Sequence, residues 1–69
     1  MQIDKIKLRT AIADRCLQVS EVQRAANING STLYRLVNHG GAVRLSTVGK
    51  LSKVLSVDPM SLVLEDELL

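Results

Sequence analysis

Aromatic residues are almost missing from this chain. Tyr34 is the only one among 69 residues, and Phe and Trp are absent. A core must therefore come from Leu, Val, Ile and Ala, and aromatic strand formers are not there to favour a sheet. Cysteine occurs once, at Cys16, so no intrachain disulfide can form and a secreted disulfide scaffold is excluded. One histidine, His39, beside one cysteine cannot supply a four-ligand zinc site. No apolar run approaches the ~18 residues that a membrane span needs. Residues 1–8 alternate charge with aliphatics, unlike the apolar core of a signal peptide, so a reducing cytoplasm is the expected compartment. There is no carboxylate pair, Ser/His/Asp set, phosphate-cradling glycine loop or metal cluster. The chain is expected not to be an enzyme and to carry no cofactor, metal or small-molecule ligand.

What is present is an ordinary folded composition, with 46% hydrophobic and 23% charged residues. The length allows one small domain, residues 1–69, that buries only ~60% of its unfolded surface. The formal net charge of +2 hides an asymmetry. Residues 1–57 hold all nine basic residues and the acids Asp4, Asp14 and Glu21, which leaves +6. Asp58, Glu65, Asp66 and Glu67 then give the end of the chain −4. A basic body with an acidic end fits a surface facing a polyanion, and it fits a solvated asymmetric surface equally well.

The periodicity reads as all-α, with five helices. Asp4 is the expected N-cap of a first helix over about residues 4–15, with Leu8, Ala11 and Ile12 as its apolar stripe. A second helix spans about residues 19–26 on Val22, Ala25 and Ala26. Its start is ambiguous, because Ser20 and Gln23 also fit a capping box. Asn27 to Gly30 break the pattern; Asn27 tolerates a left-handed turn and Asn29 can cap the next helix. That third helix covers about residues 30–38, buries Leu33, Leu36 and Val37, and ends at His39-Gly40-Gly41. Leu45, Val48, Leu51, Val54 and Leu55 mark a fourth helix, within which Gly49 costs ~1 kcal/mol against Ala; a close helix approach would account for it. Asp58-Pro59 opens a fifth, with Met60, Val63 and Leu64 on its apolar side. Cys16 is expected as a small core residue.

Two short helices joined by a tight turn, residues 19–38, with a polar outer face on the second, make a helix-turn-helix. At this point the chain resembles the Cro/C1-type, lambda-repressor-like (XRE) family, from Leu8 to Leu62. Leu8-Arg9 with Ala11-Ile12 matches the family's first helix. Val22, Ala26, Ile28, Leu33 and Leu36 match its apolar motif positions, and Ser31 to Leu36 read like its recognition helix. Leu45-Ser46-Thr47-Val48, Leu51 to Val57, Asp58-Pro59 and Leu62 match its last two helices. The stretch from Ile28 to Asn38 is also similar to LacI-type headpieces, which begin at the motif without a helix in front. Four positions depart from the Cro/C1 pattern. Gln23 stands where a small residue is usual, Asn27 and Cys16 where glycine is common, and Val19 where Gln is frequent.

The resemblance implies a compact five-helix lambda-repressor-like fold and a sequence-specific double-stranded-DNA-binding transcriptional regulator. A Cro-like repressor would insert the third helix in the major groove as a homodimer on a pseudo-palindrome. Asn29, Gly30, Ser31, Thr32, Tyr34, Arg35, Asn38 and Arg44 are then the expected DNA-binding residues. Arg35 has the donors to read a guanine or clamp a phosphate, and Tyr34 can meet a thymine methyl or a phosphate. Gly30 would allow close approach to the groove. Lys50, Arg24 and Arg9 are weaker candidates. Val57, Met60, Leu62, Leu64, Leu68 and Leu69 exceed what a small core needs and are the expected dimer surface. The rival reading is a protein-interaction module of antitoxin or anti-repressor type, binding a partner through the Leu-rich acidic end at residues 65–69.

Overall fold

The computed structural model describes residues 1–64. The chain runs through β1 (Gln2–Ile3), α1 (Lys5–Asp14), α2 (Val19–Ala26), α3 (Gly30–His39), β2 (Gly41–Ala42) and α4 (Leu45–Leu55), then a 3-10 turn at Pro59–Ser61. The all-α helix-turn-helix fold holds, with four α-helices among the described residues rather than five. The segment opened by Asp58-Pro59 makes a single 3-10 turn. Its Asp58 forms no side-chain cap bond, and Leu62 and Val63 turn at once into the core.

Each helix starts where its local chemistry permits. Asp4 Oδ1 accepts from the backbone N–H groups of Ile6 (2.9 Å) and Lys7 (3.3 Å), as an N-cap should. α2 starts at Val19 rather than Ser20. The backbone N–H of its cap, Gln18, donates to Glu21 Oε1 at 2.8 Å, the reciprocal half of a capping box. Asn29 Oδ1 accepts from Ser31 N at 2.8 Å and opens α3. Asn27 closes α2 at φ 55°, ψ 52°, the left-handed conformation expected of it.

Packing is almost wholly aliphatic. Leu8, Val22, Leu33, Leu36, Leu51, Leu55, Leu62 and Val63 are completely buried. α1 packs on α3, and α2 packs on both α3 and α4. Ser52, the one buried polar residue in the described core, donates its hydroxyl to Gly49 O at 2.8 Å, so no polar group is stranded there.

Five expectations need correction. Ala25, expected on the apolar stripe of α2 with Val22 and Ala26, is exposed. Leu45 lies on the core side of α4 but is 70% exposed, because the first turn of the helix extends past the core. Cys16 is exposed, not buried; it turns the chain after α1 at φ 55°. Gly49 makes no close approach, since an added Cβ would meet nothing within 4 Å. Leu62 is in the core and offers no dimer surface, whereas Met60 is exposed and Val57 and Leu64 are part-buried. Leu68 and Leu69 lie outside the described residues.

Sequence periodicity did not indicate the small sheet. β1 pairs antiparallel with β2, Gln2 opposite Ala42 and Ile3 opposite Gly41. On its other edge, Ile3 bridges Val63, with Leu64 N donating to Gln2 O and Asp4 N to Leu62 O, both at 2.9 Å. The first residues of the chain are thus stitched between the α3–α4 connection and the segment after the 3-10 turn. Ile3 is buried to 1% as a result.

Candidate nucleic-acid interface

α3 is amphipathic in the phase expected. Leu33 and Leu36 are buried completely, and Val37 packs half-buried beside them. Ser31, Tyr34 and Asn38 recur at i, i+3, i+7 on the opposite side and are all exposed, with Arg35 on the adjoining shoulder. Tyr34 is 54% exposed although it is the only aromatic residue, so the core does not claim it. Ten residues of helix project ~15 Å, with a side-chain diameter of ~10–12 Å that suits a ~12 Å major groove.

Beside this ridge lies an open groove of about 600 Å³, walled by the start of α3, β2 and the start of α4. Asn29, Thr32, Arg35 and Arg44 line it together with Asn27, Ile28, Ala42, Val43, Thr47 and Lys50. Its lining carries three cations and, among the described residues, no carboxylate. Arg44, Thr47 and Lys50 follow one another at helical spacing, i, i+3, i+6, so one face of the first turns of α4 supplies them. That spacing was the available signal for Thr47, which composition alone did not single out.

The expected residues therefore divide into two groups. Asn29, Thr32, Arg35 and Arg44 converge in the groove, while Ser31, Tyr34 and Asn38 form the ridge. Gly30 does neither. An ideal Cβ there would lie 3.1 Å from the Gln23 amide nitrogen and oxygen, so its missing side chain makes room for Gln23. The bulky residue at position 23 is accommodated by glycine at position 30, and the two helices still meet.

Two arginines are bonded to backbone. Arg9 Nε donates to Val37 O at 2.7 Å, satisfying a carbonyl in the last turn of α3, where a cation also suits the helix dipole. Its part is thus to finish α3. Arg35 Nη2 donates to Ala42 O at 3.0 Å, which ties the middle of α3 to β2 while the side chain stays exposed.

The backbone permits this layout through Gly40. It is buried, at φ 69° and ψ −151°, a conformation nearly confined to glycine. A Cβ there would come within 2.5 Å of Ile3 O. The chain can therefore leave α3 and run straight along β1.

No helix of the described residues is long and apolar enough to cross a membrane. Among them, no group of three or more His, Cys, Asp or Glu side chains could hold a metal ion.

Comparison with known proteins identifies a family and similar solved structures. The model of the Cro/C1-type HTH DNA-binding domain matches residues 7–63. No curated protein matches the chain. Two solved structures are similar: native PhpD with cadmium atoms, at TM-score 0.79, and PhpD with cadmium complexed with hydroethylphosphonate, at TM-score 0.78. Each is 25% identical and covers 93% of this chain, which spans only 14% of the PhpD chain.

Proposed function

The chain belongs to the Cro/C1-type helix-turn-helix DNA-binding family, whose members bind double-stranded DNA and regulate transcription, and from that premise we propose that it is a sequence-specific repressor of Cro-like type. In this reading α3 enters the major groove and presents Ser31, Tyr34, Arg35 and Asn38 to base edges. Asn29, Thr32, Arg44 and Lys50 take the flanking phosphates. A homodimer places two copies of α3 on a pseudo-palindrome, with half-sites about one helical turn (~34 Å) apart. Val57, Met60 and Leu64, with Leu68 and Leu69, are the proposed dimer surface. Occupying a promoter then blocks transcription.

One observation carries the proposal. The exposed polar ridge of α3 stands directly beside an open groove with three cations and no carboxylate among its described residues. A ridge that bases can meet, flanked by charge that phosphates can meet, is the division of labour that DNA recognition needs.

Selection from random duplex DNA, followed by stoichiometry on the selected site, tests it. The expected result is a pseudo-palindromic site bound by two protomers. Affinity should fall with salt at a log–log slope of roughly −0.9 per phosphate contacted. Failure to enrich any site, or binding that ignores salt, would overturn the proposal.

A further inference from the structure

Arg35 engages backbone as well as facing solvent, and the sheet register shows what it engages. Met1 and Val43 exchange backbone bonds, with Val43 N donating to Met1 O at 2.9 Å and the N-terminal amine donating to Val43 O at 3.3 Å. In an antiparallel pair the next residues alternate, so Ala42 turns its carbonyl away from β1. That outward carbonyl is the one Arg35 Nη2 reaches. The other guanidinium nitrogen, Nη1, lies 3.4 Å from where a Cβ on Gly41 would stand. Gly41 sits at φ 105°. Residues 41–43 are thus held from one edge by β1 and from the other by Arg35.

The next residue is Arg44. It precedes α4 without a side-chain cap bond and faces the same groove as Arg35. Resting on the DNA-binding reading above, we propose that Arg35 is a positioning residue for the α3–α4 connection: its bond to Ala42 fixes where Arg44 meets the phosphate backbone. The ridge and the phosphate-facing wall are then one mechanical unit. The cost of losing Arg35 includes the cost of misplacing Arg44.

The two residues should therefore be coupled in a double-mutant cycle. Independent contacts on separate DNA groups give additive losses, and coupled ones do not. With the selected duplex, Arg35→Ala and Arg44→Ala should each reduce the log–log salt slope by about one phosphate's worth, because both lose the contact that Arg44 makes. The double variant should bind no more than about twofold more weakly than Arg35→Ala alone. Losses that multiply in the double variant would overturn the proposal.

A second measurement needs no DNA. Amide hydrogen exchange at Val43 should speed up by about tenfold in Arg35→Ala, while the amides of Leu33, Leu36 and Leu51 keep their wild-type rates. Unchanged exchange at Val43 overturns the positioning role even where the wild type binds DNA well. A wild type that binds no duplex overturns instead the functional reading on which the role rests.

Discussion

The end of α3 differs from the ends of the other three helices. The chain leaves α1, α2 and α4 through Cys16, Asn27 and Ser56, each at φ 55°. It leaves α3 through Gly40, at φ 69° and with the backbone of β1 only 2.5 Å from where a Cβ would stand. The first three sites ask only for a left-handed residue, and side chains adopt that conformation at a local cost of roughly 1–2 kcal/mol. Gly40 needs the missing side chain as well. The helix that carries the proposed recognition ridge is also the one fastened to the small sheet. Gly40 lets β1 approach, Arg9 holds Val37 O, and Arg35 holds Ala42 O. Precision is built in where the interface needs it, and looser chemistry serves elsewhere.

The sharpest way to break this contrast is Gly40→Ala. Backbone strain and the clash with Ile3 should together cost roughly 3–5 kcal/mol, read as a lower urea midpoint. A loss below ~1 kcal/mol would place Gly40 in the same class as the other helix ends. Leu36→Ala tests the other anchor of α3. Deleting a completely buried side chain should remove ~2–5 kcal/mol, and an unchanged melting temperature would mean that the helix faces another way.

The converse substitution sharpens the contrast from its permissive side. Cys16→Gly relieves a left-handed residue that packs against nothing in the core, and should raise stability by ~1 kcal/mol in denaturant titration. Stability equal to or below that of the wild type would show that the thiol contributes locally. The smallest effect is expected at Gly49. With open space around it, Gly49→Ala should stabilise α4 by ~0.5–1 kcal/mol, seen as a modest rise in melting temperature. A destabilised variant would reveal a neighbour that the isolated chain lacks.

Much of this was legible in the residues. Helix periodicity located all four α-helices, and Asp4 and Asn29 cap where short polar residues before an apolar stripe should. The exposed side of α3 followed from Leu33 and Leu36 alone. The sheet was not legible, because strands of two residues carry no alternation and their stability comes from β1 being pinned on both edges. Cys16 was misplaced because composition reports its apolar character, while its position is decided by backbone φ. Leu45 shares the phase of Val48 and Ser52, yet a helix end can outrun the core beneath it. The groove was half legible. Asn29, Thr32, Arg35 and Arg44 could be named from the motif, but their convergence with Lys50 depends on the turn at Gly40. The bond from Arg35 to a backbone carbonyl has no signature in sequence.

In the proposed complex, the outward side of α3 and the basic groove beside it receive a duplex. Backbone amide shift mapping during titration with the selected DNA tests it most directly. The largest changes should fall on Asn29, Ser31, Thr32, Tyr34, Arg35, Asn38 and Arg44, with α1 almost silent. Changes concentrated on Ile6, Thr10 and Met60, with α3 unmoved, would contradict it.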